Sequence, residues 1–171
     1  APYAERLIDR AAGELASPAY RAMHPLGKIP ALETPDGPMF ETAAILLYLA
    51  DHHGLAPAPQ SAQRAAFLKW LFFTSTNLHT TLMQVFYPDR VAGPDAAQAV
   101  VSHAGAALHD LFRVLDAMVA RDKPEWLSAT PSPLTLYVGV LVHWLSGFPE
   151  GHPARVTVAD LPALGPILTA L

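Results

Sequence analysis

The sequence predicts a two-part fold in which a small α/β segment is followed by an all-helical region. A strand–turn–strand pattern over residues 31–40 leads into a helical pattern that ends at Gly54. The next six residues, LAPAPQ, have the composition of a linker, and long apolar repeats of helical period follow them. We therefore place an α/β domain at residues 1–54, a linker at 55–60 and a helical domain at 61–171.

The hairpin is predicted from its turn. Pro35-Asp36-Gly37 combines a preset φ, a side chain that bonds its own backbone, and a residue that accepts positive φ. Pro30 precedes the first strand, Ala31–Thr34, where a missing N–H group is tolerated. A helix follows, with Thr42 as its expected N-cap and Gly54 as its expected left-handed end.

Two polar positions flank this hairpin and form a candidate binding site. Lys28 and the backbone of Ile29 precede the first strand, and Glu41 and Thr42 stand at the start of the helix. Free N–H groups and the dipole at a helix start favour an anion, such as a ligand carboxylate. A ligand with a carboxylate at both ends and a peptide-like middle would suit these positions. The alternative is structural, with Thr42 only capping the helix and Glu41 favouring its dipole.

Residues 24–54 contain short motifs in a fixed order. They are His24-Pro25, Gly27-Lys28-Ile29-Pro30-Ala31-Leu32, Glu41-Thr42-Ala43-Ala44-Ile45 and Tyr48-Leu49. This order resembles the second half of the thioredoxin-like, glutathione-binding domain of the glutathione S-transferase superfamily, in particular its bacterial, beta-like or related classes. The resemblance implies a thioredoxin-like first domain, an all-helical second domain and glutathione as co-substrate.

The resemblance also implies roles for individual residues. The glutathione-binding residues would be His24, Lys28, Ile29, Pro30, Glu41 and Thr42. In the family the peptide bond before the equivalent of Pro30 is cis, and the backbone equivalent to Ile29 bonds the cysteinyl part of glutathione. The equivalents of Glu41 and Thr42 hold the γ-glutamyl end, and those of Lys28 and His24 lie towards the glycine end.

The beginning of the chain is interpreted through the same resemblance. The family places a strand at residues 1–10, which we expect here although the propensities lean towards helix. In the family a first strand and helix come earlier and carry the Tyr, Ser or Cys that activates the thiol of glutathione. We therefore expect that strand, that helix and the main catalytic residue upstream of Ala1.

In the helical region, residues 77–90 read NLHTTLMQVFYPDR and resemble a segment of the bacterial enzymes. In those enzymes the histidine of the segment faces the glutathione site. The resemblance therefore makes His79 the candidate catalytic residue within the chain. The alternative is a partly buried histidine that bonds a neighbour. Trp70, Phe86 and Tyr87 are candidates for the acceptor pocket, although aromatic residues at helical spacing are more often core.

Two further helices are predicted strongly. An apolar stripe runs from Ala97 to about Arg121, and residues 134–145, LTLYVGVLVHWL, are apolar nearly all round, which predicts a centrally buried helix. Ser132 is placed to cap that helix, but Thr135 stands where the family has an aspartate. A last helix is expected from Pro162.

Composition narrows the function classes. The net charge is −4 and there is no basic run, which disfavours nucleic-acid binding. The sequence contains no run of eighteen apolar residues, so no membrane span is predicted. There are no cysteines, and the eight histidines show no metal-binding spacing, so we expect no metal site. The cytoplasm is the default location.

The resemblance implies an enzyme, most simply a glutathione transferase that conjugates glutathione to a small electrophile and acts as a homodimer. Two alternatives stay open. One is another glutathione-dependent enzyme on the same fold, such as an isomerase, dehalogenase or lyase. The other is a non-catalytic binding protein that retains the fold.

Overall fold

The computed structural model describes residues 3–171. The chain divides into two compact units, Ala1–Tyr48 (unit 1) and Leu49–Leu171 (unit 2). This division falls inside a helix, a few residues before the linker predicted at residues 55–60. The predicted domain boundaries stay a prediction.

Unit 1 contains a short helix, followed by the predicted hairpin and the start of the predicted second helix. Helix α1, Pro18–Met23, is capped by Ser17, whose Oγ accepts the Tyr20 N–H at 3.1 Å. Strands β1, Ala31–Thr34, and β2, Gly37–Phe40, pair antiparallel. Thr34 opposes Gly37, so the turn is the dipeptide Pro35-Asp36. Helix α2, Thr42–His53, ends at Gly54, whose φ of 64° confirms the predicted left-handed end.

The strand expected at the start of the chain is wrong. Residues 3–9 have no regular structure, Tyr3 and Leu7 are 87% and 85% exposed, and Ala1 and Pro2 lie outside the described residues. In the described sheet β1 pairs only with β2, so this segment has no ladder to join. Its polar groups bond a loop instead, because Glu14 receives the Asp9 N–H at 2.8 Å and the guanidinium of Arg6.

Unit 2 is helical. Its helices are α3, Arg64–Phe73; α4, Thr80–Phe86; α5, Asp89–Ala92; α6, Ala97–Asp122; α7, Pro133–Ser146; and α8, Gly165–Thr169. The segment Thr74–His79 is π-helical and joins α3 to α4, so the long helix predicted from Ser61 starts later and carries a wider turn. The final helix is also shorter than predicted. No helix within residues 3–171 is both long and apolar enough to cross a lipid bilayer.

The core of unit 2 forms where α4 packs against α6 and where the inner face of α7 is covered. The largest fully buried side chains come from every one of these helices and from α3: Phe67, Leu71, Leu82, Leu108, Phe112, Leu115, Leu134, Leu141 and Leu145. The apolar stripe predicted from the sequence forms the buried face of α6. The edge of the Phe67 ring also meets Trp126, with centroids 5.9 Å apart.

Helix α7 departs from the expectation of burial on all sides. Leu136, Val140 and Trp144 are 50%, 43% and 42% exposed, and their spacing of four residues puts them on one face. Periodicity cannot reveal which face neighbours cover when every face is apolar. The predicted cap is confirmed, since the Oγ of Ser132 accepts the Thr135 N–H at 3.0 Å. The hydroxyl of Thr135 also lies 3.0 Å from that Oγ, whereas a carboxylate at this position would accept the Ser132 N–H.

An ion pair ties the end of α2 to α3, and a hydrogen bond ties the following segment to α3 as well. The Arg64 guanidinium donates to both carboxylate oxygens of Asp51, at 2.6 and 2.8 Å, and to the Pro57 carbonyl at 2.9 Å. The Arg64 hydrogen bonds lower the pKa of Asp51 below its ordinary value of 3.8, against an opposing effect of burial. One carbonyl of the predicted linker, that of Pro57, is therefore bonded to α3.

The first prediction concerns the close approach of α6 to residues 153–154. A Cβ added at Gly105 would lie 2.6 Å from the Pro153 carbonyl oxygen, whereas one at Gly139 in α7 would meet side-chain atoms no nearer than 3.6 Å. We expect Gly105→Ala to lower the free energy of unfolding by about 1–3 kcal/mol through overpacking. Gly139→Ala is the control and should raise it by up to about 1 kcal/mol through helix propensity. Urea denaturation compares them, and equal stability of the two variants would contradict this packing.

The second prediction concerns acid stability. Because the folded-state pKa of Asp51 is depressed, its contribution is present above the ordinary pKa and is lost as pH falls through the folded value. Asp51→Asn should cost about 1 kcal/mol or less near neutral pH, given its partial exposure. The same variant should cost less at an acidic pH below 3.8, and the cost should keep falling as the pH passes through the folded-state pKa. An equal cost at both pH values, measured by urea denaturation, would show that the charge is not involved.

Candidate functional site

The loop before β1 is built on a buried histidine. His24 is 4% exposed, its ring lies 4.8 Å from that of Phe40, and its Nδ1 accepts the Leu26 N–H at 3.3 Å. Gly27 has a φ of 60°, and its N–H donates to the His24 carbonyl at 2.8 Å. A Cβ on Gly27 would lie 2.5 Å from the Leu15 carbonyl oxygen. The motif therefore needs glycine here both for its backbone angle and for this close approach.

The next part of the loop, at Lys28, is bonded to the buried side chain of Tyr20. This side chain is 3% exposed, and its hydroxyl donates to the Lys28 carbonyl at 2.7 Å. The Ile29–Pro30 peptide bond is cis, as the resemblance implied. Ile29 is 54% exposed, and Lys28 and Pro30 are exposed as well. The backbone expected to meet a ligand is therefore accessible.

The second polar position is the junction of β2 with α2. Glu41 has a φ of 72°, an angle that non-glycine residues rarely adopt, and its carbonyl accepts the Ile45 N–H at 3.0 Å. Glu41 therefore holds the N-cap position, and the prediction of Thr42 as the cap is wrong because α2 already begins at Thr42. Strained backbone of this kind costs about 1–3 kcal/mol and is found preferentially at functional sites.

The strand register brings these two positions to the same edge of the hairpin. Ala31 pairs with Phe40, so Pro30 and Glu41 each follow directly beyond that terminal pair. Partner residues in antiparallel strands lie about 4.5–5.5 Å apart. Ile29, Pro30 and Glu41 are exposed, and Thr42, where α2 begins, is half-buried. The Ile29–Pro30 backbone and the start of α2 are consequently neighbours, and the first amides of α2 have no carbonyl one turn earlier to bond. This edge can bind an extended, anionic ligand.

In unit 2, the His79 side chain lies among aromatic rings. His79 ends the π-helical segment, and its Nδ1 lies 2.6 Å from the hydroxyl of Tyr137, which is 5% exposed. π-Helical turns are frequent at functional sites. The His79 ring is 6.2 Å from Trp144, whose ring is 6.2 Å from Phe86. The structure therefore contains the contact that the alternative interpretation expects, a hydrogen bond between His79 and a neighbour, Tyr137.

The three predicted acceptor-pocket residues make different contacts. Phe86 is 38% exposed and joins the cluster of His79 through Trp144. Trp70 packs within α3, with Phe73 at 5.0 Å and the Lys69 ammonium at 5.4 Å. Tyr87 lies beneath the Arg90 guanidinium at 4.1 Å. The described ring contacts therefore link Phe86 to His79 through Trp144. The described contacts of Trp70 and Tyr87 are with other residues.

Sequence reasoning missed three residues that support these groups: Tyr20, Tyr137 and Trp144. Tyr20 was detectable, because it lies three residues after a capping Ser in a helix too short to bury much else. Tyr137 and Trp144 were read as core, since the helix around them is apolar. Among residues 3–171, no three His, Asp or Glu side chains are grouped as metal ligands would be.

One family model matches the first part of the chain, and the similar sequences carry two descriptions. Residues 1–51 match the family model "Glutathione S-transferase, N-terminal domain". Glutathione S-transferase GST-4.5 from Xanthomonas campestris is 28% identical over 168 residues, which is 95% of this chain and 78% of that protein. Probable elongation factor 1-gamma 2 from Arabidopsis thaliana is 34% identical over 104 residues, 60% of this chain. The match covers only 24% of the length of that plant protein.

Comparison with solved structures covers nearly the whole chain. A glutathione transferase from Burkholderia graminis, with two glutathione molecules bound per subunit, has a TM-score of 0.78 at 25% identity. That match spans 99% of this chain and 72% of the other. A sphingomonad glutathione S-transferase complexed with glutathione is 29% identical, with a TM-score of 0.60 over 91% of this chain and 79% of its own. The likeness therefore includes both units.

The third prediction tests the tight loop below Lys28. Gly27→Ala would add both the cost of a left-handed non-glycine residue, roughly 1–2 kcal/mol, and a clash with the Leu15 carbonyl. Gly13→Ala is the matched control, because Gly13 has a φ of 73° with nothing within 4 Å of an added Cβ. We expect thermal denaturation to show the larger loss for Gly27→Ala. Equal losses would mean that the Leu15 contact does not constrain the loop.

Proposed function

Because the chain belongs to the glutathione S-transferase superfamily, we propose that it binds glutathione on unit 1 and conjugates the glutathione thiol to a small electrophile. The observation that carries this proposal is the edge of the hairpin where the Ile29–Pro30 backbone and the start of α2 are neighbours. Ile29, Pro30 and Glu41 are exposed and Thr42 is half-buried, and these are the positions to which the resemblance assigns glutathione contacts. The relatives solved with glutathione bound support the same ligand.

The proposed pose follows the chemistry of the tripeptide. Its cysteinyl part lies along the Ile29 backbone, where peptide groups can pair as in a sheet. Its α-carboxylate lies at the amides that begin α2, where free N–H groups and the helix dipole favour a negative charge. Glu41 and Thr42 hold the charged amine and the carboxylate of this γ-glutamyl end. Charge-assisted hydrogen bonds of this type are about twice as strong as neutral ones.

The loop residues have distinct parts in this proposal. Lys28 is exposed and supplies a positive charge towards the glycine carboxylate. His24 is 4% exposed, so we assign it to holding the turn through Leu26 and Phe40, with any ligand contact limited to the edge of its ring.

The proposed reaction is a nucleophilic attack by sulfur. Glutathione loses its thiol proton, the thiolate forms a carbon–sulfur bond with the electrophile, and the leaving group departs with its electron pair. A thiolate is a far better nucleophile than a thiol, so a transferase mainly has to favour the ionised form and position the acceptor. His79 is the candidate for proton handling within this chain. Phe86, with Trp70 and Tyr87 as further candidates, would contact the acceptor.

A second function is favoured by the elongation factor 1-gamma relatives, which are 33–36% identical over 74–104 residues. The chain could serve as a non-catalytic domain of transferase type that binds without conjugation. Another glutathione-dependent reaction, an isomerisation, dehalogenation or ether cleavage, is the enzymatic alternative. Incubation with glutathione and chlorodinitrobenzene separates these proposals. Loss of thiol with formation of the thioether supports the transferase, and glutathione binding without turnover of any electrophile favours the binding domain.

A homodimer in the cytoplasm completes the proposal, by analogy with the family. Analytical ultracentrifugation of the purified protein tests the oligomeric state, and a concentration-independent monomer would remove the dimer from it.

The fourth prediction tests the γ-glutamyl contact. Glu41→Gln removes the charge but keeps the size of the side chain, and we expect glutathione affinity to fall by about 1–3 kcal/mol because a charge-assisted hydrogen bond is lost. Thr42→Ala should have a loss of similar direction. Isothermal titration calorimetry gives both values.

Glu33→Gln is the matched control, because Glu33 is an exposed carboxylate on β1 of the same unit. It should bind glutathione as the unaltered protein does. If Glu41→Gln and Thr42→Ala also bind normally, these residues do not belong to the site.

A further inference from the structure

Tyr20 contacts the Lys28–Ile29 peptide group, which precedes the backbone proposed to bind the ligand. Its hydroxyl donates to the Lys28 carbonyl at 2.7 Å, a short and well-formed hydrogen bond. The ring is 3% exposed, so water cannot readily replace this bond. The Tyr20 N–H is itself held by Ser17 at 3.1 Å, and its carbonyl accepts the His24 N–H at 2.9 Å. The donor is therefore fixed at both its backbone and its ring.

The bond to the Lys28 carbonyl determines where the next N–H group points. The carbonyl and the N–H of a trans peptide lie in one plane and point in opposite directions. With the Lys28 carbonyl directed at the buried Tyr20 hydroxyl, the N–H of Ile29 is directed away from it. Ile29 is the exposed residue whose backbone the proposed pose uses.

We propose that Tyr20 is a positioning residue for glutathione, which orients the Lys28–Ile29 peptide so that the Ile29 backbone is ready to pair with the cysteinyl part of the ligand. This inference rests on the proposed function. A backbone already held in its bound orientation loses less conformational freedom on binding, so affinity rises without a new contact. Burial raises the pKa of the Tyr20 phenol above its ordinary value, so the donor proton is retained throughout the neutral range.

The test is Tyr20→Phe in the intact protein, which removes the hydroxyl and keeps the ring. Thr34→Val is the matched control, because the Thr34 hydroxyl also donates to a backbone carbonyl at 2.7 Å, that of Gly37, on the far side of the hairpin. Calorimetric titration with glutathione should show Kd raised roughly tenfold by Tyr20→Phe and unchanged by Thr34→Val. In turnover, KM for glutathione should rise with Kd, while kcat at saturating glutathione stays constant.

A spectroscopic measurement separates positioning from a general loss of stability. The amide resonance of Ile29 should shift in Tyr20→Phe without ligand, while the amide resonances of β2 keep their positions. Normal glutathione affinity in Tyr20→Phe would overturn this inference and leave the proposed function intact. A loss of affinity that Thr34→Val reproduces would also overturn it. Absence of glutathione binding by the unaltered protein would overturn both proposals.

Discussion

The pairing of Ala31 with Phe40 is the constraint on which the candidate site depends. It places Pro30 and Glu41 at one edge of a two-stranded sheet, although ten residues of chain separate these two positions. A slip of one residue would turn every side chain of one strand to the opposite face and separate these positions. The two-residue turn Pro35-Asp36 holds this register.

Around this hairpin, side-chain donors and acceptors keep an irregular loop in one conformation. Tyr20 and His24 are both buried, and each bonds a backbone group of the loop that precedes Pro30. Loops without such support sample many conformations, and each frozen residue costs conformational entropy on binding. The left-handed backbone of Glu41 is the corresponding feature at the other end of the hairpin. The accessible site thus rests on a small, well-bonded substructure within unit 1.

Local signals predicted most of the elements, although the cap expected at Thr42 was wrong, and long-range contacts account for the other failures. Turn chemistry identified the hairpin, and Gly54 and Ser132 marked helix ends correctly, because caps and turns depend mainly on neighbouring residues. The strand expected at residues 1–10 failed because a strand exists only where a partner pairs with it. The exposed face of α7 and the contact of His79 with Tyr137, 58 residues apart in sequence, were equally invisible to periodicity. The site residues were predicted by family resemblance, and their support by Tyr20 required coordinates.

The central claim is that glutathione lies against the Ile29 backbone and the start of α2. The most direct measurement is a titration of isotope-labelled protein with glutathione, followed through the backbone amide resonances. The account predicts that the amides of Ile29, Thr42 and Ala43 shift first and saturate together, with the far end of the hairpin at Asp36 unaffected. Saturable shifts elsewhere in the protein with these amides unmoved, or no shifts at all, would contradict it.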